Sequence, residues 1–491
     1  MEEYKLFIDG KWVNSSSNET FLSLDPSNKK PIGKFQKGNE KDVEKAVQAA
    51  ERSLEEWKNT PAPKRGEILL EASYLLKKNK QRLAELVTQE MGKVIKEAKG
   101  DVQEAIDTFE YFSGEGRRLF GRTTPSELRN KFCMTTRIPI GIVGLITPWN
   151  FPTAIPAWKL APSLICGNTV VFKPASDTPL CAIEVIKILE EAGIPNGVVN
   201  LITGPADKVG TTIIKHKKIR AISFTGSRAT GEFVLKNAGI KKVGLELGGK
   251  NAIIIMDDAD LNLALEGVIW GGFGTTGQRC TAASRVIIHE KVKKQFEKMF
   301  VEKTKKLKLG NGLDSKTDVG PLINENALKK VHSYTEIGKK EKAKLLIGGN
   351  LGNSKGYFYQ PTIFTDVKPN MRIAQEEIFG PTICLISVKN LNEAIKVCNS
   401  VSYGLSSSIY TNNISNAFNA IKDIESGITY INSSTIGAEV HLPFGGVKET
   451  GSFREAGWSG IEEFSEEKTI YVDYSGKLQK AQIDSVESKK K

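Results

Sequence analysis

Cysteine and histidine are scarce in this chain, six and four respectively in 491 residues. The cysteines stand at 133, 166, 181, 280, 384 and 398, with no CxxC pair and no disulfide rhythm. That excludes a stapled secreted scaffold and leads us to expect a reducing, cytoplasmic setting. The histidines are isolated, so no metal site is expected. No apolar run is long enough to cross a membrane. The most apolar stretch, 138–171, is interrupted by Pro139, Pro148, Pro152, Pro156 and Pro162 and by Lys159, and no membrane partner is expected. Met1-Glu2-Glu3-Tyr4 is acidic and leads into a hairpin pattern, so no secretory leader is expected. The net charge is +12, yet the lysines share helical faces with glutamates and form no aromatic-interleaved stripe. Nucleic acid is therefore not expected as a partner.

What is present begins with length. A chain of 491 residues outgrows one core, so two or more domains are expected. Lys5 to Val13 reads as a hairpin around an Asp9-Gly10 turn. From Glu40 to about Arg118 apolar residues recur at helical spacing, as in Val43, Ala46, Val47, Ala50 and Leu54. Then short β-branched runs at 142–146, 169–172, 198–202 and 221–224 alternate with helical patterns at 156–166, 179–192, 206–216 and 228–238. That order means parallel βαβ units, and the near-continuous apolarity of the runs means both sheet faces are covered. After Cys280 the alternation resumes: strands at 285–289, 344–347, 383–388, 407–410 and 428–431, and helices at 291–308 and 325–341. The fold class expected is α/β, with two domains of comparable size and the segment from Glu246 to Cys280 spanning their join. Domain interfaces favour ligand sites.

Two motifs mislead. Gly272-Phe273-Gly274-Thr275-Thr276-Gly277 matches a dinucleotide fingerprint, but a helical pattern at 261–270 precedes it where a strand is required. Its glycines are better placed to let backbone pass close to a reacting centre. Gly244 to Asn251 is one residue from a phosphate-binding loop, but Asn251 stands where a magnesium-holding hydroxyl should be, and Leu245 and Leu247 suit a strand.

The chemistry concentrates at three places. Cys280 follows Gly277-Gln278-Arg279 and precedes Thr281. Most cysteines are small buried hydrophobes, but a glycine-rich approach and a polar flank suit a nucleophile. Attack on an aldehyde would create an oxyanion needing fixed donors. Asn150, within Pro148-Trp149-Asn150-Phe151-Pro152, could supply a side-chain N–H and Cys280 its own backbone N–H. Hydride loss would leave a thioester, and water would then need a base. Glu246 lies between Leu245 and Leu247, where burial would raise its pKa toward the working range. The hydride acceptor must also be held. Phe224 to Gly231 joins a strand to a helix whose first N–H groups suit a pyrophosphate. Lys173, ending the 169–172 run, could meet a ribose or phosphate.

These motifs together resemble the aldehyde dehydrogenase superfamily, in its NAD(P)-dependent branch that does not acylate coenzyme A. The resemblance runs from the hairpin to Phe464-Ser465-Glu466-Glu467-Lys468-Thr469 and includes Lys173-Pro174-Ala175, Phe224-Thr225-Gly226-Ser227, Leu245-Glu246-Leu247-Gly248-Gly249-Lys250, Glu377-Ile378-Phe379-Gly380-Pro381 and Pro443-Phe444-Gly445-Gly446. It implies Cys280 as nucleophile, Glu246 as base and Asn150 as oxyanion donor. It implies a cofactor site of Ile146, Trp149, Lys173, Ser176, Gly204, Gly226, Ser227, Leu247, Glu377 and Phe379, with Glu377 on the nicotinamide ribose. It implies a substrate tunnel of Phe151, Ile155, Trp158, Arg279, Thr281 and Phe444, with the loop 433–442 at its mouth. By the same resemblance, the fold is two Rossmann-like parallel-sheet domains plus a small β oligomerisation segment. Residues 1–118 and 140–247 would bind NAD(P), 248–462 would be catalytic, 119–139 and 463–480 would pair subunits into dimers or tetramers, and 481–491 would be a tail. Ser176 stands where NAD-specific members often carry a glutamate, so NADP as well as NAD is expected. A semialdehyde or short hydroxy-aldehyde is the expected substrate. A broad aliphatic or aromatic aldehyde range and, against the presence of Glu246, acylation of coenzyme A are the alternatives.

Overall fold

The computed structural model describes residues 1–483. The tail expected at 481–491 falls, from 484 onward, outside the described residues. The chain opens with the hairpin Leu6–Ile8 and Lys11–Val13. Asp9 and Gly10 have φ of 55° and 71°, both left-handed, as a two-residue hairpin turn demands. Four helices follow, Glu40–Asn59, Ala62–Lys78, Lys80–Met91 and Ile95–Glu115. The first is closed at its start by a reciprocal pair, Asn39 on Asp42 and Asp42 on Asn39.

The first large sheet runs, in spatial order, Lys242–Glu246, Ile219–Thr225, Ile142–Ile146, Thr169–Lys173, Val199–Leu201, Leu6–Ile8 and Lys11–Val13. Its first five strands are parallel, and the hairpin closes one edge antiparallel. Alternation along the strands divides the core. Val143, Leu145, Val170 and Phe172 pack with Ala157, Leu160, Ile183 and Ile186 of the helices Ala154–Ile165 and Pro179–Glu191. Ile142, Ile146 and Val171 face the other way, onto Val43, Ala46 and Val47 of the first helix. Both faces are therefore dry, which is why these strands carry almost no polar residue.

The second large sheet runs Lys344–Ile347, Thr362–Thr365, Thr382–Val388, Ala283–His289, Asn251–Ile255, Ser406–Tyr410 and Ile428–Ile431. It is parallel except for the edge strand Lys344–Ile347. Asn251–Ile255 was not anticipated from the sequence, and it is a central strand, buried at every residue. The chain thus passes from one sheet to the other through Leu247, Gly248, Gly249 and Lys250 alone. The helix expected at 291–308 is Glu290–Thr304. Tighter turns after Thr304 let Leu307 pack against the core.

A third, antiparallel sheet joins Thr123–Pro125, Lys131–Pro139 and Ser465–Asp473, the last two paired over their whole lengths. It leaves Phe132, Tyr471 and Val472 exposed.

Candidate active site

Eight of the ten residues expected at the cofactor lie at or just after the carboxyl ends of the first sheet's strands, where parallel sheets present ligands, while Glu377 and Phe379 come from the segment before Thr382–Val388 of the second sheet. Ile146 and Lys173 are cross-strand partners, and so are Thr225 and Glu246. Gly226 N–H donates to the Glu246 carbonyl at 3.0 Å. Ser227 caps the helix Arg228–Ala238 by accepting from Thr230 N–H. Lys173 is buried, donates from Nζ to the Pro174 carbonyl at 2.9 Å, and has its pKa pushed down to about 8 by burial, against the pull of Asp177. Ser176 Oγ donates to the Gly204 carbonyl at 3.1 Å.

Cys280 lies where two cavities meet. One, about 420 Å³, is bordered by Phe151, Ile155, Trp158, Glu246, Arg279, Cys280, Thr281 and Phe444. The other, about 220 Å³, is bordered by Trp149, Asn150, Gly226, Ser227, Glu377, Phe379 and, again, Cys280. Thr225 and Leu247 also face both.

A strained turn aims the thiol. Thr275 and Thr276 in Gly274–Gly277 have φ of 51° and 59°, a conformation that costs a β-branched residue ~1–3 kcal/mol. It is held by side chains from elsewhere in the chain. Thr275 donates from N and from Oγ1 to Glu97 Oε2, each at 2.7 Å. Thr276 Oγ1 donates to the Gly320 carbonyl at 3.0 Å. Gln278 Oε1 accepts from Ile323 N–H at 2.9 Å, and Nε2 donates to the Pro321 carbonyl at 3.2 Å. Gly277 has no room for a side chain, since a Cβ there would lie 2.2 Å from the Gly380 carbonyl oxygen. Burial is the first reason the Cys280 thiol is pushed up to about 12. Glu246, Glu377 and Glu104 add to the shift, while the Thr281 N–H opposes it.

Asn150 is buried. Its Nδ2 donates to the Gln278 carbonyl at 3.1 Å, fixing the amide beside the turn that carries Cys280. Glu246 is buried with neither carboxyl oxygen partnered among the described residues. Its strand end is pinned by Thr450, whose carbonyl accepts from Leu247 N–H at 2.6 Å. At Gly445 a Cβ would come within 2.5 Å of Glu246 Oε1. Burial, followed by the neighbouring Glu455 and Glu463, raises the Glu246 carboxyl well above its usual range, against Lys159 and Arg454. Lys159 itself contacts the Glu455 carboxylate and donates to Ser223 Oγ at 2.8 Å.

Glu377 lies over Gly248 and accepts from Gly249 N–H at 2.9 Å, and burial raises its carboxyl. Phe379, at φ 60°, meets the Trp149 ring edge-on with centroids 5.5 Å apart. Trp149, Phe379, Gly226 and Ser227 leave between them an aromatic-walled recess, closed by Glu377 and ending at the thiol. It fits a nicotinamide ribose, with the capped helix start at Ser227 available to phosphate oxygens.

The larger cavity has a wall that the motifs did not reveal. Lys96, Glu97, Gly100, Asp101 and Glu104 line it from the helix Ile95–Glu115, and Trp270 from the helix Leu261–Phe273. Their spacing of three and four puts the first five on one helical face, but a charged face ordinarily reads as solvent-facing. Of the mouth loop expected at 433–442, Ile436, Gly437 and Ala438 reach the cavity. Arg279 lies between the Phe151 and Trp270 rings, its guanidinium carbon 5.1 and 4.8 Å from their centroids.

Residues 12–470 match the sequence model of the aldehyde dehydrogenase family. The chain belongs to the aldehyde dehydrogenase family. It is 44% identical to the alpha-ketoglutarate semialdehyde dehydrogenase of Haloferax volcanii over 96% of this chain and 99% of that protein. It is 41% identical to the 2,5-dioxopentanoate dehydrogenase of Saccharolobus solfataricus, again over 96% and 99%. A crystal structure of betaine aldehyde dehydrogenase from Staphylococcus aureus in complex with NAD+ superposes with a TM-score of 0.95 at 35% identity, covering 97% of this chain and 96% of that one. This aldehyde dehydrogenase is an NAD(P)-dependent enzyme that oxidises aldehydes. None of its described helices is long and apolar enough to cross a membrane.

Proposed function

We propose that this aldehyde dehydrogenase converts a semialdehyde, an aldehyde with a distal carboxylate, into the dicarboxylate, with Cys280 as nucleophile, Asn150 as oxyanion donor and Glu246 as base. The observation that carries the catalytic assignment is the thiol of Cys280 at the junction of two cavities, with Asn150 on one and Glu246 on the other. The Cys280 thiol gives its proton to solvent, the resulting thiolate sulfur adds to the carbonyl carbon, and the π pair becomes an oxyanion facing Asn150 Nδ2–H and the Cys280 backbone N–H. A nicotinamide held against Trp149, Glu377 and Phe379 would supply the hydride acceptor. Loss of hydride from the adduct leaves a thioester on Cys280. Glu246 takes a proton from water as that water attacks the thioester carbon, the C–S bond breaks, and the acid departs.

The semialdehyde assignment rests on Arg279. It sits over two rings, and its Nε donates to Thr275 Oγ1 at 2.8 Å. Among the described residues its terminal nitrogens make no hydrogen bond, the nearest carboxylate being Glu97 with Oε2 3.9 Å from Nη2. A guanidinium edge left open in an aromatic cavity suits a carboxylate. Relatives named for α-ketoglutarate semialdehyde and 2,5-dioxopentanoate support this choice. The aromatic walls, Phe151, Trp158, Trp270 and Phe444, favour a second reading, a broad range of apolar aldehydes. A panel of both classes, followed by reduced-cofactor absorbance, separates the two. A higher kcat/KM for 2,5-dioxopentanoate than for pentanal is expected, and the reverse order would reject the semialdehyde. Acyl-CoA formed faster than free acid would reject hydrolysis.

The same panel, run with each cofactor, tests the dinucleotide choice. Ser176 is a neutral hydroxyl turned toward Gly204, so nothing of negative charge at that position repels a 2′-phosphate. NADP should support turnover alongside NAD, and strict NAD use would rule this out.

Residues 1–118 and 140–247 make up the cofactor-binding part in this reading and 248–462 the catalytic part. The third sheet, from 119–139 and 463–480, joins subunits. Its exposed apolar residues, Phe132, Tyr471 and Val472, support that role. Light scattering should give a dimer or tetramer mass, and a Tyr471→Asp/Val472→Asp double variant should lower it. A monomeric wild type would reject the assignment. The six free cysteines fit a reducing cytoplasm.

A further inference from the structure

One carboxyl group in the substrate cavity has no role in the chemistry above. Glu104 sits one helical turn beyond Gly100 on the wall formed by the helix Ile95–Glu115. The position of a Cβ on Gly100 meets no atom within 4 Å, so the helix leaves open space just before Glu104. The other acids on that face are engaged. Glu97 holds Thr275, and Asp101 accepts from Lys93 Nζ at 2.9 Å, from Thr153 Oγ1 at 2.6 Å and from Ala154 N–H at 2.8 Å. The Glu104 side chain, by contrast, makes no hydrogen bond or ion pair among the described residues, although Arg279 is close enough to act on its charge.

We propose that Glu104 and Arg279 together grip the distal carboxylate of the semialdehyde, Arg279 through its terminal N–H groups and Glu104 as an un-ionised acid that donates its O–H. The inference rests on the semialdehyde reading above and deepens it. An ionised Glu104 would repel the same carboxylate, so the grip exists only while the proton stays. Glu104 faces Asp101 and Asp107 on its own helix, Lys93 from the turn before it, Arg279 and Cys280 from the nucleophile loop, and Tyr430 from the strand Ile428–Ile431. Lys96, Glu97, Glu246 and Glu455 complete the charged lining of the cavity. Burial first, then Asp101 and Asp107, raise the Glu104 carboxyl to about 8, while Arg279 and Lys93 oppose. The acid is therefore protonated at neutral pH and loses its proton as pH rises through 8.

The test is the ratio of kcat/KM for 2,5-dioxopentanoate to that for pentanal, measured with NAD from pH 7 to pH 9. Ionisation of Cys280 and Glu246 affects both aldehydes and cancels in the ratio. In the wild type the ratio should fall about tenfold over that range, the change in protonated fraction for a group titrating near 8. In Glu104→Gln, which keeps an N–H donor but cannot ionise, the ratio should be flat. Glu104→Asp, which keeps the charge and gives up reach, should lower the ratio at pH 7. A wild-type ratio flat with pH, or the same fall persisting in Glu104→Gln, overturns the role of Glu104. In that case a collapse of the ratio in Arg279→Gln at pH 7 leaves the semialdehyde reading standing. A wild-type ratio at or below one throughout sinks the substrate reading itself.

Discussion

Cys280→Ala is expected to abolish aldehyde oxidation, with a loss in kcat on the order of 10⁶-fold, the scale for deleting a nucleophile that carries a covalent intermediate. The five other cysteines cannot substitute. All are buried away from the two cavities. The thiolate is the reactive form, and the thiol sits up at about 12 because burial and three neighbouring carboxyl groups disfavour the anion. Activity that requires the anion should therefore grow as pH rises and fade as it drops. Removing one sulfur leaves the backbone of the 274–281 turn and its bonds to Glu97, Gly320, Pro321 and Ile323 in place. The variant should consequently still bind NAD, which quenching of tryptophan emission can follow, since Trp149 faces the smaller cavity. Retention of about one hundredth of wild-type turnover, far above the loss expected on deleting a nucleophile, would remove Cys280 from the mechanism.

Glu246→Gln should separate the two half-reactions. The first, addition and hydride loss, is expected to proceed, giving a pre-steady-state burst of about one reduced cofactor per site. Steady turnover should then fall by about 10²–10⁴-fold, the usual contribution of a general base. Glutamine is nearly isosteric, which matters where Gly445 leaves so little room beside Glu246 Oε1. In the wild type, burial and the Glu455 and Glu463 carboxylates hold the Glu246 carboxyl well above the ordinary range. The base form is thus favoured by higher pH, and deacylation should slow as pH drops. In the variant that dependence of the second step should vanish. A burst followed by full-speed turnover would disprove the assignment, because water activation would then need no carboxylate at 246.

Much of the architecture was legible in the sequence because burial on both sheet faces writes itself as short β-branched runs. Ile142–Ile146, Lys344–Ile347 and Ile428–Ile431 appear with the bounds that their residues suggested. Asn251–Ile255 escaped, since its apolar run follows a glycine pair and begins with asparagine, a residue that usually marks a turn. Here Asn251 instead bonds outward, donating from Nδ2 to the Cys280 carbonyl at 2.7 Å and accepting at Oδ1 from Ser406 N–H at 2.9 Å. The strained threonines at 275 and 276 were equally hidden, because nothing local favours left-handed backbone for a β-branched side chain. The bonds from Glu97 and Gly320, far away along the chain, make it tenable.

By itself the sequence determined which groups are available: one cysteine in a glycine-rich polar setting, one glutamate between leucines, one asparagine between prolines, and an alternation that builds two parallel sheets. Reactivity of that kind depends on residue type and near neighbours, which a linear string records. Only the tertiary structure decided that the cysteine stands at the meeting of two cavities, and that a charged helical face from 96 to 104 turns inward to line one of them. Whether a carboxyl faces water or an enclosed cavity depends on what the rest of the chain packs over it, and that changes its protonation. The same five residues would be an unremarked solvent surface on a helix with nothing opposite.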